Sequence, residues 1–309
     1  MTHKTAQRDI TDTVDMASSE AVADEVCRIL SKRYVGFAQA PMRQCFSDIA
    51  RAYAGDYPGL LVCDMRYHDL CHALSTALLM ARLVDGFEAS HGADMTGFGR
   101  DKGSMAVVLA LFHDIGFLRR DIESYINGAC LDHHHEQRSV DFVRAYLAKS
   151  VFADYADRAD LIHATNFNVP IAQSLLGQPP EMFILGQMLG TADLISQVGD
   201  RYYLERCRDF LFEEFIAAGH DRCIAEDGRV TVLYSSPEDL LRKTPDFFEH
   251  VVKQRLETDL GQVSRFIAPH FGGDDPYARR IARNMEHLRT LIQRNDFSRL
   301  QRNPPTPRH

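Results

Sequence analysis

His68 and His72, in RYHDLCHAL, stand four residues apart, so on a helix their rings would project from one face, one turn from each other. His113-Asp114, in LALFHDIGF, closes an apolar run where a bare carboxylate would be costly, and an aspartate placed there needs a cation or several donors. The triplet His133-His134-His135 in CLDHHHEQRSVDF, His163 in DLIHATNF and Asp193 in the apolar LGTADLISQ extend the pattern. Each residue alone has a structural explanation, as a histidine bonded to a carbonyl or an aspartate paired with an arginine. Spread over successive helices, these imidazoles and carboxylates are satisfied together most simply by converging on a cation. Nitrogen and oxygen donors without thiolate suit one or two divalent ions of Fe, Mn, Mg, Ni or Zn, rather than an iron–sulfur centre or a cysteine-bound structural zinc.

The elements that must hold these side chains read as helices. Apolar residues recur at helical spacing through Val22 to Tyr34, Met42 to Tyr53, Leu70 to Phe87, Met105 to Ile115, Ser139 to Leu147, Phe183 to Val198 and Tyr202 to Ala217. Pro237 to Phe266 and Pro276 to Ile292 read the same way, each with proline in the first turn, where its missing N–H costs nothing. The one convincing strand is Arg229 to Tyr234, after the turn pair Asp227-Gly228. The segment from Asp227 to Ser236 is expected to form a hairpin on the surface, with a flap over the site as the alternative. The fold class expected is therefore all-α, a compact helical bundle with at most a small β-hairpin.

Composition narrows the setting. In 309 residues, 35 Lys and Arg against 43 Asp and Glu leave a net charge of -8, which argues against a surface that tracks polymeric nucleic acid. Seven cysteines form no CxxC pair and their odd number cannot close into a full disulfide set, so they read as reduced thiols of a cytoplasmic protein. No secretory leader is legible, and no run of roughly 18 apolar residues is read as a membrane span. Residues 1–20 are expected to be a flexible tail, 21–300 one helical domain and 301–309 a second tail. The helices after Arg201 are expected to supply pocket walls and a face for a homodimer.

The ordered set of His, then His-Asp, then Asp resembles the metal site of the HD-domain superfamily of metal-dependent phosphohydrolases, over residues 67 to about 198. That resemblance implies that His72, His113, Asp114 and Asp193 hold a first metal and that Asp114 bridges to a second. Tyr67-His68 and His72-Ala73 look like the YHNxxHA segment of the cyclic nucleotide phosphodiesterases of the same superfamily, whose first histidine donates a proton; Asp69 stands here in place of the asparagine. His134-His135, Ala164-Thr165 and Ala192-Asp193 echo that family's HH, ATD and ADxS segments, with Asn166 in place of an aspartate. His163 stands where the phosphodiesterases have an apolar residue, and His135 with Ser139 is similar to the HPxxG segment of dinuclear members. The resemblance therefore implies His135 and His163 for the second metal, while His133 and His134 are expected to be exposed at a helix start.

A site of this kind would hydrolyse a phosphoester. Divalent cations would lower the pKa of a bound water and neutralise the phosphate. His68 would protonate the leaving alkoxide, with Asp69 orienting it. Arg66, Arg119 and Arg120 are candidates for the non-bridging oxygens, the alternative being surface pairs with Asp121 or Glu123. Thr165 and Asn166 are candidates for substrate contact. The substrate expected is a nucleotide or another small phosphoester, diester before monoester, although no counterpart of the purine-reading glutamine of the cyclic nucleotide enzymes is recognisable. Glycine-rich phosphate loops and the GxSxG elbow are both missing. Two alternatives stand beside this: an HD-fold di-iron oxygenase acting on a small molecule, and a catalytically idle binding module.

Overall fold

Ser18 accepts the Ala21 N–H and so starts α1 (Ser19–Arg33), whose apolar face packs against α2 (Gln39–Tyr53). Both lean on α3 (Leu70–His91), in which every side chain from Cys71 to Phe87 except Ser75 is buried. The computed structural model describes residues 8–91, 97–225 and 227–304. Beside α3 lie α4 (Gly99–Phe112) and, on its other flank, α7 (Pro180–Val198). Between them in sequence come α5 (His135–Leu147), a long 3-10 segment (Ala153–Thr165) and the short α6 (Ile171–Ser174). The remaining helices wrap this core: α8 (Tyr203–Arg206), α9 (Phe212–Ala218), α10 (Pro237–Phe247), α11 (Lys253–Glu257), α12 (Ile267–His270) and α13 (Pro276–Arg294). The fold is all-α with one two-stranded hairpin, β1 (Arg222–Ile224) against β2 (Val230–Val232).

Two of the expected helices are interrupted. A π-helical turn (Cys207–Leu211) separates α8 from α9, and a second (Phe248–Val252) follows α10, three residues after Pro245, which has no N–H to give. The helix expected to run on to Phe266 stops earlier, because Gly261 and Gln262 both take left-handed backbone at φ 59° and 56°. The seven cysteines are all free.

With 22 residues, 18 of them in a stretch of mean hydropathy 1.3, α3 is long and apolar enough to cross a membrane, which the sequence reading did not anticipate; 89% of that stretch is buried among the other helices, as befits a core helix. Its Arg82 is 1% exposed and donates to Asp9 Oδ2 at 2.6 Å and to Tyr277 Oη at 2.7 Å.

That contact corrects the expected amino-terminal tail. Residues 8–18 form a tight turn closed by the Arg8–Asp15 bridge and by Asp9, whose carboxylate accepts the Val14 N–H and the charge of Arg82. A buried guanidinium must be paired, and only this segment supplies the anion. At the other end Arg302 bonds the buried Glu205 at 2.8 Å, so the expected second tail is anchored where it begins; residues 1–7 and 305–309 lie outside the described residues.

Burial pushes the Asp9 carboxyl up, but Arg82 and the surrounding hydrogen bonds outweigh it and hold it below the ordinary carboxylate range. A folded-state pKa below the unfolded one adds stability that is complete above the ordinary carboxylate range and is lost as pH falls through the depressed value. Asp9→Asn should therefore cost roughly 3 kcal/mol at pH 7, as expected for stranding a buried charge, and flatten the acid limb of stability. Urea unfolding at pH 7 and at about pH 2 checks it; equal stability of both proteins at both values would refute it.

Candidate metal centre

Four side chains from three helices meet at one point. His72 sits in the first turn of α3, where its N–H is capped by Asp69 Oδ1 at 2.9 Å. His113 follows the last residue of α4, Asp114 opens the short 3-10 turn Ile115–Phe117, and Asp193 lies within α7. His72 Nε2 is 3.2 Å from each of His113 Nε2, Asp114 Oδ2 and Asp193 Oδ1. His113 Nε2 is 3.2 Å from Asp114 Oδ2 and 3.5 Å from Asp193 Oδ1.

This geometry fits a cation. Ligand atoms held about 2.1 Å from one ion at angles near 100° lie about 3.2 Å apart. His113 Nδ1 donates to the Ala110 carbonyl at 2.8 Å, which leaves its Nε2 lone pair facing inward. Gln197, one turn beyond Asp193, donates to Asp193 Oδ1 at 2.7 Å and fixes that carboxylate. Asp114 Oδ2 is fully buried with no hydrogen-bond donor, and His72, His113 and Asp114 each offer an atom within 4.8 Å of the others. Burial opposes charge on His113, Asp114 and Asp193, yet Asp114 and Asp193 drive His113 well above the ordinary imidazole range, and the facing histidines hold both carboxyls well below theirs. Two anions facing two imidazoles are the surroundings a divalent cation requires.

The second oxygen of Asp114 faces elsewhere: its Oδ1 is 3.8 Å from His135 Nε2. The His135 ring stacks on Phe117 at 4.1 Å, and its Nδ1 donates to the Asp132 carbonyl at 2.6 Å. Gly116 makes this approach possible, since a Cβ there would lie 1.9 Å from the His135 carbonyl oxygen. Ser139 of the same helix accepts the Gly116 N–H at 2.8 Å. His163, the other expected ligand of a second metal, is not brought to this point. It lies, partly buried, in the 3-10 segment Ala153–Thr165, and of that segment Thr165 lines the cavity. His133 and His134 are exposed, as expected.

His68 lies at the wall of the same site, its ring centre 5.8 Å from that of His72 and stacked on Phe117 at 4.9 Å. Its partner is Glu214 and not Asp69. Glu214 Oε2 is 2.7 Å from His68 Nδ1, while Oε1 accepts the N–H groups of Arg66 at 2.8 Å and Tyr67 at 2.6 Å. Burial disfavours the imidazolium, but Glu214, with Asp114 and Asp193 behind it, raises the His68 pKa to about 9. Asp69 caps α3 and pairs with the buried Arg206 at 3.2 Å, so its carboxylate is engaged there and makes no hydrogen bond to His68.

None of the expected phosphate arginines lines the site. Arg66 is exposed and lies over the Phe210 ring at 4.0 Å; Arg119 pairs with Asp64 at 3.2 Å and donates to the Ile126 carbonyl; Arg120 points to solvent. Each sits beside a metal motif in sequence, but Arg66 and Arg120 are exposed and Arg119, largely buried, is committed to Asp64 and to carbonyls. Thr165 does line the cavity, although its hydroxyl donates to the Ile162 carbonyl at 2.9 Å. Asn166 instead caps its own loop by accepting the Asn168 N–H, and Asn168 is the one that faces the cavity.

The cavity in front of the cluster measures about 400 Å³ and is bounded by α7, the 203–218 segment, the end of β2 and the 237–252 segment. Both π-helical turns contribute to it, through Cys207, Leu211 and Val252. Glu214 is the candidate residue that the sequence reading missed; one of two adjacent acids in FEEFIAA, well downstream of its partner, it carries no local signal. The His68–Glu214 pair and the cluster thus define a helical protein with a candidate metal centre. A family model described as Npun_R2479-like matches residues 120–267, just under half of the chain, taking in His135, His163, Asp193 and Glu214 but not His72, His113 or Asp114. No curated protein matches the chain.

Proposed function

We propose that the protein is a metal-dependent phosphohydrolase of the HD type that acts on small phosphoesters, diesters in preference to monoesters. The observation that carries the reading is the pairing of the His72–His113–Asp114–Asp193 cluster with a proton donor, His68 held by Glu214, across one cavity. A divalent cation bound there would neutralise the phosphate and lower the pKa of a water. With Nδ1 engaged by Glu214, His68 presents its Nε2–H to the cavity, and the oxygen of the departing alcohol takes that proton. Glu214 keeps the imidazolium favourable and, through the N–H groups of Arg66 and Tyr67, fixes the loop that carries it. His135, facing the second oxygen of Asp114, supports a second ion. The seven free cysteines support a reducing, cytoplasmic setting.

A second reading, a di-iron oxygenase, is favoured by the apolar walls of the cavity, which suit an oxidisable carbon skeleton as well as an ester. One experiment separates them. The full-length protein, stripped of metal and reloaded with Mn, Mg, Fe, Ni or Zn, should regain hydrolysis of bis-p-nitrophenyl phosphate with one or two of these ions. Metal that binds without restoring hydrolysis, together with oxygen uptake by the iron form, would replace the first reading by the second.

A further inference from the structure

The walls of the cavity say what the substrate must look like beyond its reacting phosphate. Seven phenylalanine and tyrosine side chains line it, among them Phe117, Phe167, Tyr203, Phe215, Tyr234 and Phe247. Leu194, Val198, Leu211, Leu240 and Val252 fill the spaces between them. Besides Asp114 and Asp193, which would be taken up by the cation, the charged groups are Asp132, paired with His220, and Glu136, against the His68 imidazolium and one ammonium, Lys243. Lys243 is already committed, to Asp239 Oδ2 at 3.0 Å and to the Leu233 carbonyl at 2.6 Å. Among the described residues no arginine lines the cavity.

A nucleoside polyphosphate would bring several negative charges, and beyond the one phosphate that the cation and His68 receive, the walls offer no forked donors for the rest. A ribose would set hydroxyls against aromatic rings. A volume of about 400 Å³ is that of an ordinary small-molecule site, which buries most of its ligand against such walls. Resting on the phosphohydrolase reading, we infer that the natural substrate is a phosphodiester of low charge whose alcohol is an apolar body, alkyl or aryl, seated among these rings while the cluster holds its single phosphate.

The test uses the metal-loaded full-length protein and p-nitrophenyl phosphodiesters whose second alcohol is methyl, hexyl, phenyl or thymidine. Burial of one methylene is worth up to about 4-fold, so kcat/KM should rise at least about 10-fold from the methyl to the hexyl ester. The thymidine ester should do no better than the methyl ester, and comparison of the phenyl and hexyl arms tells an aromatic body from an aliphatic one. Phe247→Ser should reduce the hexyl-to-methyl ratio. A flat series, or a preference for the thymidine ester, overturns the inference while leaving the hydrolase reading in place. Calorimetric binding of hexyl phosphate and thymidine monophosphate separates the two failures: preference for the hexyl compound without turnover of any ester keeps the apolar site and removes the hydrolase.

Discussion

Replacement of Asp114 by alanine should leave the protein unable to retain a divalent cation, with at least about a 100-fold loss of affinity. Loss of groups that merely orient metal ligands costs 10–100-fold, and Asp114 is a direct donor whose Oδ2 has no other partner. The loss should be doubled in effect, because its Oδ1 also faces His135 and one substitution opens both halves of the site. Two measurements check it. Metal analysis after dialysis should find stoichiometric ion in the parent and none in Asp114→Ala. Thermal unfolding should show the parent stabilised on adding the ion, by about 2.7 kcal/mol at a hundredfold excess over Kd, and the variant indifferent to it. Full metal content in a folded Asp114→Ala protein would show that the cluster is only a buried polar network.

The second expected result separates proton transfer from metal binding. His68→Ala should lower kcat by roughly 100- to 10,000-fold, the usual weight of a positioned general acid, while metal content stays unchanged, since His68 belongs to none of the close contacts of the cluster. The loss should be greatest for esters whose leaving alcohol is weakly acidic and smallest for nitrophenyl esters, whose leaving group departs as a stable anion. Glu214→Gln should follow the same pattern less steeply. A glutamine oxygen can still accept the N–H groups of Arg66 and Tyr67, so the loop stays in place, but the negative charge that favours the imidazolium is gone. Unchanged turnover of an alkyl ester by His68→Ala would remove it from the mechanism.

The cluster was legible because its members sit in short apolar strings, where a His-Asp pair or a lone aspartate violates local pattern and must be explained by a partner. The helices that hold them were legible for the same reason, through periodicity: the expected Leu70–Phe87 and Phe183–Val198 stretches fall within α3 and α7. What periodicity does not encode is azimuth in irregular backbone. His163 was expected as a ligand of a second metal, and of the 3-10 segment Ala153–Thr165 that carries it, Thr165 lines the cavity. Nor does adjacency in sequence say which way a long side chain lies. Arg119, five residues from Asp114, spends its guanidinium on Asp64 and a carbonyl. Partners distant along the chain leave no trace at all: Glu214 for His68, Asp9 for Arg82 and Arg206 for Asp69 were all invisible until the fold brought them together.

Arg82 has a consequence for how the newly made chain is sorted. The insertion machinery of the cell judges a segment by its apolarity before any tertiary structure exists, and α3 by length and composition passes that judgement. An arginine near the middle of such a segment costs about 2.5–3.5 kcal/mol on the insertion scale, and an aspartate about as much. Arg82 and Asp85 therefore bias the helix that carries His72 toward water during synthesis. In the folded protein the same two charges are neutralised, Arg82 by Asp9 and Asp85 by Arg33 and His270.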